Sequence, residues 1–242
     1  MTRPHLFRSI AFAAFGALAL ATLAGISSRA SAEPFVIPPP KTDVAAKAVT
    51  SSEPKSIVLA GGCFWGVQGV YQHTKGVIQA VSGYAGGSAD SARYDSVSTG
   101  STGHAESVKI TYNPKEISLG KILQIYFSVV HDPTQLNRQG PDSGTQYRSA
   151  IFTSQPEEQK VVKDYIAELD AAKVYKKPIV TKIEPMNGFY PAENYHQDYL
   201  TLHPYQPYIA FNDIPKVDNL KKLFAADYRD KPVLVRDAKA TN

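Results

Sequence analysis

From residue 56 to residue 184 the apolar residues follow two spacings in turn, which predicts strands and helices in a fixed order. Strands are expected where short apolar or alternating runs meet turn residues, at residues 56–60, 77–84, 106–112, 147–153 and 179–184. Helices are expected at residues 64–73, 118–130 and 154–172, the last two beginning at Ser118 and at a capping box formed by Ser154 and Glu157.

The order of these elements predicts the fold class. Strand, helix, strand, strand, helix and strand follow one another, and a further helix and strand come after them. This order is that of an α/β (α+β) two-layer sandwich with a mixed sheet, of the split βαβ or ferredoxin-like type. After Met186 the chain is rich in aromatic residues and proline, and we expect irregular coil there.

The first 32 residues have the pattern of a secretory signal peptide. Arg3 and Arg8 precede an apolar run over residues 10–26, and Ala30-Ser31-Ala32 is a small-residue cleavage site. The run is shorter than the ~20 residues that span a membrane. We therefore predict cleavage after Ala32, a periplasmic or secreted protein, and no membrane association once the signal peptide is removed.

The rest of the chain divides into a linker, one domain and a tail. Residues 33–55 contain Pro34 and a triple proline at 38–40, which favours an extended, mobile linker. Residues 56–230 are expected to form the catalytic domain, as a monomer, and residues 231–242 a tail. Loss of residues 1–32 removes three arginines and no acid, so the net charge falls from +4 to +1. Such a chain lacks the clustered basic residues with which proteins bind nucleic acid.

Cys63 is the only cysteine in the chain, which excludes an internal disulfide and a multi-cysteine metal site. It stands between Gly61-Gly62 and Phe64-Trp65, where a strand is expected to turn into a helix. The free N–H groups at a helix N-terminus favour a thiolate and predict a lowered pKa for Cys63. An inert buried thiol is the alternative. An unpaired cysteine in an exported protein favours the reactive interpretation.

The segment Gly62-Cys63-Phe64-Trp65-Gly66 resembles the signature of the A-type peptide methionine sulfoxide reductases. Six further blocks resemble that family in the same order, so that the resemblance covers residues 56–207. They are Gly83-Tyr84-Ala85-Gly86-Gly87, Thr102-Gly103-His104-Ala105-Glu106, His131-Asp132-Pro133-Thr134-Gln135, Arg138-Gln139-Gly140, Gly144-Thr145-Gln146-Tyr147-Arg148-Ser149 and Ala192-Glu193-Asn194-Tyr195-His196-Gln197.

The resemblance implies reduction of methionine sulfoxide, of the S epimer, free or within proteins. Such a reaction would repair exported proteins damaged by oxidative stress. Cys63 would attack the sulfoxide sulfur and become a sulfenic acid. Glu106 would be a buried, neutral carboxylic acid that protonates the oxygen.

The resemblance also implies how the substrate is held. Tyr94 and Tyr147 would donate hydrogen bonds to the developing oxyanion. Asp142 would orient the site, and Phe64 and Trp65 would hold the substrate methyl group. No metal and no bound cofactor are expected, and we interpret His104, His131 and His196 as structural.

One departure from the family concerns regeneration. Many members carry further cysteines near the C-terminus that form a disulfide with the first, whereas residues 207–242 contain none. An external thiol, from a thioredoxin-like protein or a small molecule, is therefore expected to reduce Cys63. Two alternatives remain open from the sequence. One is a different single-cysteine enzyme, either a peroxidase or a thiol transferase, and the other is a module that binds oxidised methionine without turnover.

Overall fold

A computed structural model describes Met1, residues 35–44 and residues 53–239 of the chain. All of these except Met1 belong to one compact unit, Ser31–Asn242. Apart from Met1, the predicted signal peptide and its cleavage site lie outside the described residues. Among the described residues, no helix has the length and hydropathy needed to cross a membrane.

In the part of the chain that the structure describes, eight strands form one six-stranded sheet and one small hairpin. They are β1 (Lys55–Gly61), β2 (Val77–Ala85), β3 (Ala105–Tyr112), β4 (Arg138–Gln139), β5 (Asp142–Ser143), β6 (Ser149–Phe152), β7 (Lys182–Glu184) and β8 (Phe189–Pro191). The sheet order is β7-β6-β1-β3-β2-β8, and β4 pairs with β5. All neighbours are antiparallel except β6 and β7. The central order β6-β1-β3-β2 confirms the predicted ferredoxin-like sandwich with a mixed sheet.

Seven α-helices accompany the strands among the described residues. They are α1 (Phe64–Gln72), α2 (Tyr94–Val97), α3 (Leu119–Ile125), α4 (Pro156–Ala171), α5 (Tyr199–Leu202), α6 (Ile214–Leu223) and α7 (Val235–Lys239). A π-helical turn, Tyr126–Val130, extends α3. Alternate residues of β1 serve opposite faces of the sheet: Leu59 joins the main core with α1 and α3, and Val58 joins a smaller cluster with Phe152. Strand β1 is therefore fixed from both sides, and so is the point at which it ends.

The two predicted helix starts have different outcomes. Ser118 caps α3 as expected, because its hydroxyl accepts a hydrogen bond from the backbone N–H of Lys121 at 3.1 Å. The capping box at Ser154 is wrong. Gln155 is the N-cap of α4 and Pro156 is its first residue. The hydroxyl of Ser154 instead accepts from the backbone N–H of Met186 at 3.1 Å, so it is not free to cap the helix.

The prediction of irregular coil after Met186 is wrong in part. This region contains β8, α5, α6 and α7, and a π-helical turn, Ile209–Asp213, leads directly into α6. Proline stands in the first turn of α6, where its missing N–H costs nothing, and Val217 and Leu220 are buried three residues apart. The aromatic and proline-rich composition concealed this short amphipathic helix.

Residues 35–44, the N-terminal strap, are bound to the domain, which corrects the prediction of a mobile linker for this part. Ile37 is fully buried, and its carbonyl accepts a hydrogen bond from the Gln124 side chain of α3 at 2.7 Å. The Tyr165 hydroxyl of α4 donates to the Pro38 carbonyl at 2.6 Å. One apolar side chain and side-chain donors from two helices therefore anchor an extended, proline-rich segment that has no secondary structure of its own.

Candidate active site

Cys63 lies at the junction of β1 and α1, as the N-cap residue of the helix. The side chain is 7% exposed. The turn before it depends on Gly62, whose φ of +90° disfavours any side chain. A Cβ at Gly62 would also lie 2.6 Å from the Cβ of Gln139, so close packing reinforces the requirement for glycine.

The electrostatic environment of the Cys63 thiol does not agree with the pKa lowering that the sequence predicts. Burial raises the pKa of Cys63 well above its ordinary value, and the carboxyl groups of Glu106 and Asp213 raise it further when they are ionised. The Trp65 backbone N–H at the start of α1 and the Lys216 ammonium lower it, but by less. The expectation of a lowered pKa is therefore wrong for the protein without substrate, because desolvation outweighs the helix N-terminus.

Glu106 lies on β3 and is 3% exposed. Its Oε2 accepts a hydrogen bond from the backbone N–H of Phe64 at 3.0 Å, which holds the carboxyl group beside the first turn of α1. Burial raises the pKa of Glu106 from 4.5 to about 8, and Asp142 and Asp213 contribute in the same direction. The carboxyl group is thus mainly protonated at neutral pH and available as a proton donor.

Tyr94 and Tyr147 come to the same place from separate segments. Tyr94 is the first residue of α2, where its backbone N–H donates to Glu193 Oε1 at 3.0 Å. Tyr147 ends a short 3-10 helix, Thr145–Tyr147. Burial raises the pKa of both hydroxyls, and the nearby Glu106 and Cys63 raise the pKa of each hydroxyl further. Both are therefore neutral hydrogen-bond donors close to the thiol and the acid.

Asp142 belongs to β5 and is partly buried. It accepts a hydrogen bond from the Tyr208 hydroxyl. Burial raises its pKa, whereas this hydrogen bond and Lys216 lower it. Asp142 also raises the pKa of Glu106 and of Tyr147. The five polar residues predicted for the site therefore interact electrostatically as one cluster: Cys63, Tyr94, Glu106, Asp142 and Tyr147.

Phe64 and Trp65 form an aromatic wall next to Cys63. Phe64 is buried, whereas Trp65 is partly exposed and stacks on Tyr199, with ring centroids 4.0 Å apart and planes 11° apart. The indole N–H of Trp65 donates to His196 Nδ1 at 3.2 Å. His196 also packs against Phe64, with ring centroids 5.1 Å apart. These contacts fix the orientation of the indole.

Sequence reasoning did not assign a place in the site to five residues that the structure brings there. Glu193 also accepts from the Tyr84 hydroxyl, at 2.8 Å, and thereby helps to fix the start of α2. The other four are His196, Tyr208, Asp213 and Lys216. Glu193 and His196 lie in a segment already noted for its resemblance to a family, which was a usable signal. Asp213 and Lys216 follow no motif, and only the tertiary structure reveals them.

His131 and His104 each place a ring nitrogen within hydrogen-bond distance of a neighbouring segment. His131 Nε2 lies 2.7 Å from Ser149 Oγ, and His104 Nε2 lies 2.9 Å from the Ser88 carbonyl oxygen. The described residues contain no group of three or more histidine, cysteine or acidic side chains with the geometry of a metal site. These two histidines instead connect neighbouring segments of the domain.

Comparison with known proteins identifies relatives of the chain. The model of the family described as "Peptide methionine sulfoxide reductase" matches residues 55–228, more than half of the chain. The chain is 62% identical over 192 residues to "Peptide methionine sulfoxide reductase MsrA 2" of Mesorhizobium japonicum, covering 79% of this chain and 97% of that protein. A protein of the same name from Synechocystis is 43% identical over 196 residues, covering 81% and 90%.

Two solved structures are similar as well. Mxr1 from Saccharomyces cerevisiae in its reduced form is 35% identical, with a TM-score of 0.58, over 69% of this chain and 92% of that one. Methionine sulfoxide reductase A of Corynebacterium diphtheriae is 33% identical, with a TM-score of 0.55, over 72% and 88%. The similarity therefore extends from sequence to fold and covers the segments that carry the cluster around Cys63.

Proposed function

The chain belongs to the A-type peptide methionine sulfoxide reductases and is an oxidoreductase that reduces methionine sulfoxide to methionine; from this premise we propose the roles of its residues. Cys63 is the nucleophile and Glu106 the general acid. One observation carries the assignment: a buried carboxyl group with a pKa of about 8 is hydrogen-bonded to the residue that follows the chain's only cysteine.

The first step oxidises Cys63 and reduces the substrate. The Cys63 sulfur attacks the sulfoxide sulfur while Glu106 gives a proton to the sulfoxide oxygen. Hydrogen bonds from Tyr94 and Tyr147 stabilise the charge that develops on that oxygen. The hydroxyl then passes from the methionine sulfur to the Cys63 sulfur while the bond between the two sulfurs breaks, so methionine leaves as the thioether and Cys63 carries a sulfenic acid. Two electrons pass from the cysteine sulfur to the sulfoxide.

The aromatic wall holds the methyl group and sets substrate fit. Phe64 and Trp65 offer apolar surface beside the nucleophile, and the contacts of Trp65 with Tyr199 and His196 keep that surface in one orientation. The methyl group faces the aromatic wall and the oxygen faces the hydroxyl donors. Because these two positions are fixed, only one configuration at sulfur fits the site. We assign the S epimer as the substrate.

Regeneration depends on an external thiol, because the chain contains a single cysteine. A thiolate attacks the sulfenic acid to give a mixed disulfide and water, and a second thiol then releases Cys63 and leaves as a disulfide. A thioredoxin-like protein or a small thiol fits this role. With residues 1–32 acting as a signal peptide, the reaction takes place in the periplasm or outside the cell and repairs exported proteins.

Single-turnover reduction tests the proposal against a thiol peroxidase. The full-length protein is mixed with S or R methionine sulfoxide without reductant, and methionine is measured over time. We expect methionine from the S epimer only, none from Cys63→Ser, and slower reaction of Cys63 with hydrogen peroxide at the same concentration. Retained activity in Cys63→Ser, or preferential reaction with peroxide, would overturn the assignment.

A further inference from the structure

Asp213 and Lys216 form a buried ion pair that the reaction scheme above does not use. The Lys216 Nζ lies 3.0 Å from Asp213 Oδ1, and the two side chains are 16% and 0% exposed. The second carboxylate oxygen of Asp213 is buried without a hydrogen-bond partner among the described residues. The π-helical turn that ends at Asp213 and the helix α6 that carries Lys216 both pack against α1.

The pair lies directly on the first turn of α1, three residues after Cys63. A Cβ built on Gly66 would lie 2.2 Å from Asp213 Oδ1 and 2.8 Å from Lys216 Nζ. Only glycine leaves room for this approach, which gives Gly66 a physical reason. The ion pair occupies the space that a side chain at Gly66 would need. Its charges are therefore close enough to Cys63 to affect the ionisation of the thiol.

Without Lys216, the charged side chains that influence the Cys63 thiol would all be carboxyl groups. Among the described residues, the groups that influence the ionisation of Cys63 include one cation, Lys216, against the carboxyl groups of Glu106 and Asp213. Other titratable groups that face this cluster are Asp142, His131, whose pKa burial and Lys216 both lower, and the tyrosine hydroxyls of Tyr84, Tyr94, Tyr147 and Tyr208. A buried carboxylate opposes formation of a nearby thiolate, and an ammonium favours it.

We propose that Lys216 is a positioning residue of the reductase: its ammonium, held against α1 by Asp213, supplies the positive charge that allows Cys63 to ionise for attack. The inference rests on the proposed role of Cys63 as nucleophile. It assigns different functions to the two partners, because Asp213 anchors Lys216 at the cost of a negative charge near the thiol. Substitutions that neutralise one charge but keep the shape of the side chain should therefore change the reactivity of Cys63 in opposite directions at the two positions.

Alkylation of Cys63 by iodoacetamide, followed over a range of pH in the full-length protein, tests this. Lys216→Met keeps the length of the side chain but not its charge, and we expect alkylation near neutral pH to slow about tenfold, with the pH profile displaced upward. Lys216→Arg should restore most of the rate. Asp213→Asn keeps a side-chain oxygen that can accept the hydrogen bond from the Lys216 ammonium but removes the negative charge, so it should accelerate alkylation. Lys221→Met is the matched control, since Lys221 lies on the same helix in an exposed pair with Asp230 and should leave the profile unchanged.

A purely structural ion pair would give a different result. Both Lys216→Met and Asp213→Asn would then lower stability and shift alkylation in the same direction, and that outcome overturns the proposal. So does a profile of Lys216→Met that matches the parent protein. If Lys216→Met does not fold, as judged by near-UV circular dichroism, the direction of the shift in Asp213→Asn decides. Alkylation needs no sulfoxide, so this result is independent of whether Cys63→Ser abolishes methionine formation.

Discussion

Replacement of Glu106 by glutamine tests the role of the acidic proton while the shape of the side chain is kept. Glu106→Gln keeps a side-chain oxygen that can accept the hydrogen bond from the Phe64 backbone, but it removes the proton that the reaction needs. We expect single-turnover reduction of methionine sulfoxide to slow by about 10²–10⁴-fold, the usual contribution of a general acid. Binding of substrate should change much less than the rate.

The pH dependence follows from the shifted pKa of Glu106. With a pKa of about 8, the acid is protonated below pH 8, so this group should leave the parent rate undiminished there and reduce it about tenfold per pH unit above. Glu106→Gln has no such descending limb. A rise in pKa from 4.5 to about 8 also corresponds to about 5 kcal/mol of penalty against the charged form in the folded protein.

The same shift predicts a change in stability. Between pH 4.5 and 8 the unfolded chain ionises Glu106 while the folded protein keeps the proton, so this group lowers the free energy of unfolding as pH rises. Glu106→Gln lacks this loss and should gain stability relative to the parent with rising pH, by up to about 5 kcal/mol at pH 8. Urea unfolding at several pH values measures the difference.

The matched control is Glu157→Gln, at an exposed position in the first turn of α4. Glu157→Gln should leave the single-turnover rate unchanged. Its free energy of unfolding, compared with that of the parent, should not diverge with rising pH as it does for Glu106→Gln. Single-turnover rates of Glu106→Gln within a factor of two of the parent would refute the role of Glu106 as the acid. A stability difference that does not grow with pH would refute the buried, protonated state.

Two further predictions concern substrate fit and the N-terminal strap. Trp65→Ala should lower kcat/KM for methionine sulfoxide by an amount equivalent to ~1–3 kcal/mol and weaken discrimination against sulfoxides with larger alkyl groups; undiminished discrimination would contradict the pocket assignment. Ile37→Ala should lower the free energy of unfolding by about 2–5 kcal/mol, because the side chain is fully buried against the domain. An unchanged urea midpoint would show that the strap is not part of the stable fold.

The sequence was sufficient to predict the central sheet because its strands follow simple patterns. Residues 57–60 of β1 form an apolar run that is followed by two glycines, and the order of the elements leaves few ways to connect the strands. The polar residues of the site were found through motifs that surround them. Glu106 is an example: the alternating pattern of β3 places it in a strand, and only its neighbours in the sequence suggested a buried acid.

Other features depend on contacts between distant parts of the chain. The raised pKa of Cys63 results from desolvation and from carboxyl groups 43 and 150 residues further along the chain, which outweigh the local effect of the helix. The binding of the N-terminal strap depends on a donor from α3 to the Ile37 carbonyl and a donor from α4 to the Pro38 carbonyl. Neither follows from local composition, because hydrophobic burial and charge proximity are properties of the tertiary structure.

The intact mass of the protein after excess methionine sulfoxide, without reductant, tests the central claim most directly. With one cysteine in the chain, we expect one methionine per enzyme and a stalled protein that is heavier by one oxygen atom on Cys63, which a thiol then removes. Cys63→Ser should give neither methionine nor added mass. Two methionines per enzyme, or a stalled protein without the added oxygen, would contradict reduction through a sulfenic acid on Cys63.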